Sequence, residues 1–414
     1  MTTSSTVHRR RFLRRIGVGL TAPAWAATTR AVGPAGPIAI KATTTNLASS
    51  NERMISYRQQ QHLVQTADGA LHLLLNRGTL SPGPGLSLFS SFDGGTTWRL
   101  MQNFPGTDDK STGDLKLIGD DLWMVYHTAA QVIVFAQLHY DSVLQTWSLL
   151  LSQQAFASSQ WAALNPALAV DSIGTIWVGF LAKSLRRVNA VGNIRVVNRV
   201  GGGTLWTDPG LAFGPTDSQA VERSARPVAI PGGMGMVWTV HEVTYWSSRS
   251  DALPDNSAWT TSTIHTGIQE SGGKDPYASH FNVTTDDQGG VHLVSIENYD
   301  VLYFRYLPST DQWSAPLVVD DSRKVAYAQM GLINGKLGVG FSVQRGKGSL
   351  AISSALGDSW SLGYDLQLIP GYVGVNFNTA RIELPTRCSG TLPILQQYSD
   401  TESQKLMLFR VPMP

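Results

Sequence analysis

The stretch "ADGALHLLL", Ala67 to Leu75, sets a polar Gly/Asp turn against a short apolar run broken by one histidine. The same pattern returns as "GDDLWMVY" (Gly119 to Tyr126), "SIGTIWVGF" (Ser172 to Phe180), "PGGMGMVWTV" (Pro231 to Val240), "DQGGVHLVSI" (Asp287 to Ile296), "INGKLGVGF" (Ile333 to Phe341) and "CSGTLPILQQ" (Cys388 to Gln397). These copies recur roughly every fifty residues, a period that belongs to propeller blades rather than to coiled coils or helical repeats.

A second series lies downstream of the first. Ser or Tyr is followed by a turn and then by Trp seven positions on, as in Ser91 and Trp98, Tyr140 and Trp147, Tyr306 and Trp313, Ser353 and Trp360; Trp206 and Trp259 hold the same place without the full pattern. Each copy therefore reads as strand A, a Gly/Asp turn, strand B, a connection, strand C, a tight hairpin and strand D. The last copy runs out at "KLMLFRVPMP", its third strand. The β-rich segment "PIAIKATTTNL" (Pro37 to Leu47) is expected to supply the fourth and to close the ring, so that no sheet edge stays open. The expected fold is all-β, a seven-bladed β-propeller of four-stranded antiparallel blades in one domain over 31–414, with six blades as the alternative.

Residues 1–30 are set apart from that fold. "HRRRFLRRIGVGLTAPAWAA" combines paired arginines, a modest apolar run and the small-x-small Ala24-Trp25-Ala26, and it resembles a twin-arginine export leader. The whole chain carries +2; the segment through Ala26 holds five arginines and no acids, which leaves −3 for the remainder. No basic patch invites nucleic acid. No later segment is long and apolar enough to span a bilayer. The expected location is the periplasm or outside the cell, as a monomer. Cys388 is the single cysteine, which excludes an internal disulfide and a cysteine-rich metal site.

"SFDGGTTW", Ser91 to Trp98, matches the Asp-box, S-x-D-x-G-x-T-W, and resembles the bacterial neuraminidase repeat families. Asp93 is expected to accept hydrogen bonds from its own turn, Gly95 to take a positive φ, and Trp98 to pack between sheets. "SSALGDSW", Ser353 to Trp360, carries Ala355 where the aspartate belongs. In the families it resembles, this turn lies on the face opposite the binding site.

The site is expected where strands A begin and strands B end. About six residues before each turn, strand A offers His62, Asp114, Asn165, Arg226 and His280, then Tyr327 or Gln329, and Asn378 or Thr379. The ends of strand B give Asn76-Arg77, His127, His241-Glu242, Glu297, Arg345 and Tyr398. His72 and His292 fall where other copies place Trp123 and Trp177, so they are read as packed core histidines. His127, His241 and His280, with Tyr126 beside the first, are the catalytic candidates. Arg226 begins an apolar strand, so it needs either an acidic partner, Asp114 or Glu297, or a substrate carboxylate. His62, Asp114, Asn165, Arg77, Glu242, Glu297, Arg345 and Arg226 are the substrate-binding candidates.

The Asp-box families include hydrolases, lyases and binding proteins. Sialidases among them use three arginines, a Tyr/Glu pair and an Asp. Here no Arg-Ile-Pro motif stands near the first blade, and Arg381-Ile382-Glu383 comes in the last. The chain looks more like the propeller-fold polysaccharide lyases that cleave uronic-acid glycans. That resemblance implies β-elimination of an acidic polysaccharide, with Arg226 on the uronate and a histidine as base. It requires no cofactor or metal. A glycosidase pairing Asp114 or Glu242 with Glu297, and a non-catalytic glycan-binding propeller, are the alternatives.

Overall fold

The computed structural model describes residues 37–413 except 56, 82–83, 186–190, 218–222, 241–242, 268–280, 323–324, 344–347, 370–380 and 400–402. The expected leader lies outside the described residues. So do His241, Glu242, His280, Arg345, Asn378 and Thr379.

Among the described residues every regular element is a strand, and the strands fall into seven sheets. The first runs Leu63–Gln65, Leu71–Asn76, Leu86–Ser91 and Arg99–Asn103, each strand hydrogen-bonded antiparallel to the next. The same meander recurs over 113–156, 161–217 and 225–266. In the fifth sheet Gln312–Trp313 and Leu317–Asp320 share the outer place against Asp300–Leu307.

The seventh sheet lacks a local fourth strand and receives Thr43–Ser49, antiparallel to Gln404–Val411. The preceding residues, Ile38–Lys41, lie parallel to Trp360–Gln367 on the outer edge of the sixth sheet. The segment thus stitches two sheets, where the sequence suggested only one.

Why the second strands read as unbroken apolar runs is plain from their surroundings. Side chains alternate between the two faces of a strand, and here both faces are covered. Leu71, Leu73 and Leu75 pack with Leu395, Leu406 and Leu408 of the seventh sheet, while Leu74 packs with Leu115, Met124 and Leu138 of the second. Among the described residues seven such apolar clusters occur, one between each pair of successive sheets and the last between the seventh and the first. Full burial of each leucine in these layers contributes roughly 1.5–3 kcal/mol.

His72 is such a core residue. Its Nδ1 lies 2.7 Å from Ser90 Oγ and accepts Trp147 Nε1–H at 3.1 Å, and its Nε2 lies 3.1 Å from Thr66 Oγ1. Burial pushes its pKa down to about 3 against the opposing pull of Asp68. His292 is likewise fully buried, 2.8 Å from the Tyr303 hydroxyl and 3.1 Å from Asp286 Oδ2.

The Ser91–Trp98 hairpin closes on itself. Asp93 accepts the backbone N–H of Thr96 and Thr97 at 2.9 Å each and the Thr97 hydroxyl at 2.7 Å, while Ser91 Oγ donates to Asp93 and accepts Gly95 N–H. Gly95 has φ +94°. Desolvation raises the Asp93 carboxyl, but the bonds from Thr97, Ser91 and Thr96 together outweigh it and hold it at about 2. Trp98 donates to the Gly95 carbonyl and buries its ring between the first and seventh sheets. Arg410 of the seventh sheet clamps the turn through the carbonyls of Asp93 and Gly94.

Candidate functional site

At the opposite ends of the strands, where the innermost strands begin, a cavity of about 810 Å³ opens between the first three sheets. Its walls come from 50–53 and Tyr57 before the first sheet, 108–112 before the second, His127–Gln131, and Leu164-Asn165.

Asn76 holds one wall in place. It is buried at the end of its strand and donates to the carbonyls of Asp108 at 2.9 Å and Ser111 at 2.8 Å. Asp108 in turn accepts Lys110 N–H and the Ser111 hydroxyl. His127, 3 % exposed, accepts the Thr112 N–H on Nδ1 at 3.3 Å, which puts its proton on Nε2, and it is also bonded to the Lys110 backbone. Burial outweighs Asp108 and that backbone bond and pushes its pKa down to about 4, so the ring is neutral at neutral pH. Thr112 Oγ1 also donates to Asn165 Oδ1 at 3.3 Å. Asn165 sits in the left-handed region, φ +52°, where the strand register breaks between Leu164 and Ala167, a bulge that re-aims its side chain.

Tyr57 stands on the cavity wall with φ +39°, a strained conformation of the kind that persists where the surroundings enforce it. Arg53 donates to its hydroxyl oxygen at 3.0 Å. Lys110 and Arg53 are exposed cations on the same cavity. Tyr57 also borders a hollow of about 10 Å³, water-sized, lined by Arg58, Tyr327, Gln329, Arg381 and Glu383. The guanidinium of Arg58 stacks 3.6 Å from the Tyr327 ring centroid and that of Arg381 lies 5.0 Å away.

Two carboxylates tie the innermost strands together. Asp114, fully buried, accepts Gln61 N–H at 2.7 Å and Leu168 N–H at 2.8 Å, and pairs with Arg226. One side chain thereby joins four sheets. Glu383, also fully buried, accepts His62 N–H at 3.0 Å and Gln61 Nε2 at 3.1 Å on one oxygen, and stands 3.1 Å from His62 Nδ1 on the other. That arrangement protonates His62 on Nδ1 and leaves Nε2 buried without a described partner.

Of the residues singled out from sequence, His127 and Asn165 share the large cavity, and His62 lies at the axis with Glu383. Arg226 takes the acidic partner rather than a free position, and that partner is Asp114. Glu297 is elsewhere, 2.6 Å from His265. Arg77 donates to the Ser81 carbonyl and does not line the cavity. Tyr126 is corrected: it points into the apolar cluster between the first two sheets, beside Phe104, because it alternates with His127 along the strand. Tyr398 is buried in the cluster between the sixth and seventh sheets. Sequence reasoning missed Tyr57, Arg53 and Lys110, which lie in loops without a repeat position, and Glu383. Counting seven back from Gly390, the spacing of His62 from Gly69, reaches Glu383.

No family model matches the sequence, and no curated protein matches it significantly. Solved structures do resemble it. An ulvan lyase, described as a new family of polysaccharide lyase, is 10% identical, with 91% of this chain and 96% of that one covered and a TM-score of 0.51. A protein of unknown function from Dyadobacter fermentans is also 10% identical, covering 89% and 98%, at 0.46. A fucoside-bound lectin from Aleuria aurantia is 12% identical, covering 74% and 93%, at 0.43. The likeness to the ulvan lyase shows the fold: this chain is a β-propeller. No helix among the described residues is long and apolar enough to cross a membrane.

Proposed function

We propose that each of the seven sheets is one blade, and that this is an exported, monomeric carbohydrate-active enzyme that cleaves an acidic, uronate-containing polysaccharide by β-elimination in the cavity between the first three blades. The observation that carries the reading is the cavity itself. It is large enough for sugar residues and gathers two cations, a strained tyrosine, a neutral histidine and an amide. The solved polysaccharide lyase of like fold is consistent with it.

In this reading Arg53 and Lys110 neutralise the uronate carboxylate and thereby acidify the proton on C5. Tyr57, entering the step as the phenolate with its oxygen held by the Arg53 guanidinium, removes that proton. The C5 electron pair forms the C4=C5 double bond, the C4–O bond breaks, and the leaving oxygen takes up the proton from Tyr57. His127 has both ring nitrogens engaged by Thr112 and Lys110, so it orients the wall rather than exchanging protons. His62 with Glu383, and Arg226 with Asp114, hold the blades in register behind the site. His241, His280, Glu242 and Arg345 keep their sequence-based roles as proposals.

The test is an assay on uronate-containing polysaccharides that follows ultraviolet absorbance of the new double bond together with reducing ends. Both should rise, and Tyr57→Phe should lower the rate by about 10²-fold or more at unchanged Tm. Reducing ends without absorbance would make the protein a hydrolase working through Glu52, Asp108 or Asp109. Retention of the glycan with neither signal would leave a binding propeller.

A further inference from the structure

The amide of Asn165 is oriented from behind the cavity wall. Pro166 has no N–H and offers only its carbonyl oxygen, and Gln60 Nε2 lies 2.8 Å from it, so the fully buried Gln60 turns its NH2 end that way. The second proton of that NH2 goes to Thr112 Oγ1 at 3.2 Å. Thr112 Oγ1 therefore accepts, and its own proton is left to donate. His127 Nδ1 is in reach at 3.2 Å, but its one lone pair already accepts the Thr112 N–H. The hydroxyl proton accordingly goes to Asn165 Oδ1 at 3.3 Å. With Oδ1 turned inward, the NH2 end faces the cavity: Asn165 lines it, and Nδ2 is neither bonded to a described residue nor enclosed. Two costs accompany this aim. Asn165 keeps a left-handed backbone at φ +52°, and Gln60 Oε1 is buried without a described partner.

We propose that Thr112, with Gln60 behind it, is a positioning residue that fixes Asn165 as a hydrogen-bond donor toward one acceptor oxygen of the bound glycan, and that this donor determines which sugars the cavity takes. The inference rests on the proposed glycan reading of the cavity and adds to it a point of discrimination on the third sheet. A sugar with an oxygen at that point completes the relay. One with a hydrogen or a methyl there leaves a preset donor unpaired and is disfavoured.

The experiment is isothermal titration of the full chain, carrying Tyr57→Phe to slow turnover, with whichever of alginate, polygalacturonate, hyaluronan and ulvan it binds most tightly; Tm is recorded for every variant. Added to that background, Asn165→Leu and Thr112→Val should each raise Kd about tenfold. Asn165→Asp, which replaces the donor by an acceptor at nearly constant volume, should weaken binding at least as much. Thr112→Ser keeps the hydroxyl and should restore most of the affinity. Thr112→Val combined with Asn165→Leu should bind no worse than Asn165→Leu alone, because both remove the same donor. Thr112→Ser as weak as Thr112→Val, or losses that add in the combined variant, overturn the positioning role. Unchanged binding by Asn165→Leu or Asn165→Asp overturns the donor, and in all these cases the glycan reading stands. Binding of none of the four polymers removes that reading and this inference with it.

Discussion

The Ser91–Trp98 hairpin and the cavity at the other end of the same sheets are built on opposite plans. In the hairpin one carboxylate, the hydroxyls of Ser91 and Thr97 and the backbone N–H groups of Gly95, Thr96 and Thr97 satisfy each other within eight residues. In the cavity no wall is self-contained: Asn76 holds the loop at Asp108, that loop holds His127, and Thr112 holds Asn165 of a third sheet. Local bonding makes the hairpin a module that any blade can carry. Borrowed bonding makes the cavity possible at one place in the ring.

The sharpest way to break that contrast acts just below the cavity. Asp114→Ala strands the buried Arg226 guanidinium and two backbone donors in different sheets, and should lower stability by about 3–5 kcal/mol in chemical denaturation. A loss under ~1 kcal/mol would show that the sheets do not depend on the shared carboxylate. On the hairpin side the largest effect belongs to the ring, not the acid: Trp98→Ala should cost about 3 kcal/mol, because it empties the layer between the first and seventh sheets.

Acid should weaken both ends through their buried histidines. Unfolded imidazoles take up protons below about pH 6.5, whereas His127 does so only near 4 and His72 near 3. The stability these neutral rings contribute is therefore present above pH 6.5 and lost as the pH falls toward 4 and then 3. Each adds a slope of at most about 1.4 kcal/mol per pH unit. His127→Asn should flatten the upper part of that profile, measured as Tm between neutral and mildly acidic buffers. The smallest effect is expected for Asp93→Ala, about 1 kcal/mol, since its partners are exposed and water replaces them. Cleavage should be untouched by it.

The same contrast explains what could be read from the chain. The repeat and the buried histidines were legible because the same register returns from copy to copy, and the hairpin because its bonds close within eight residues. Tyr57, Arg53 and Lys110 were not, because loops before strands have no period to betray them. Arg226 was legible only as a choice, and the choice of Asp114 depended on which sheets meet at the axis. Tyr126 and His127 could act together only from a loop, since a strand sends neighbours apart, and the strand runs through both. Glu383 was in view, but among the described residues the last innermost strand pairs only at Ile382–Glu383, too short for an apolar pattern to fix its register.

The stitch made by Ile38–Lys41 and Thr43–Ser49 has a kinetic side. Thr43 donates its hydroxyl to Leu408, 365 residues away in sequence. The first five sheets can each form from a contiguous piece of chain, but the sixth takes an outer strand from Ile38–Lys41 and the seventh takes one from Thr43–Ser49, so this seam must wait for segments at the largest separation to meet, and loop closure over such a length is slow. Ring closure is thus expected as the last step of folding. Opening of the same seam is the first step of unfolding, so amide protons of Gln404–Val411 should exchange ahead of those in Leu71–Asn76.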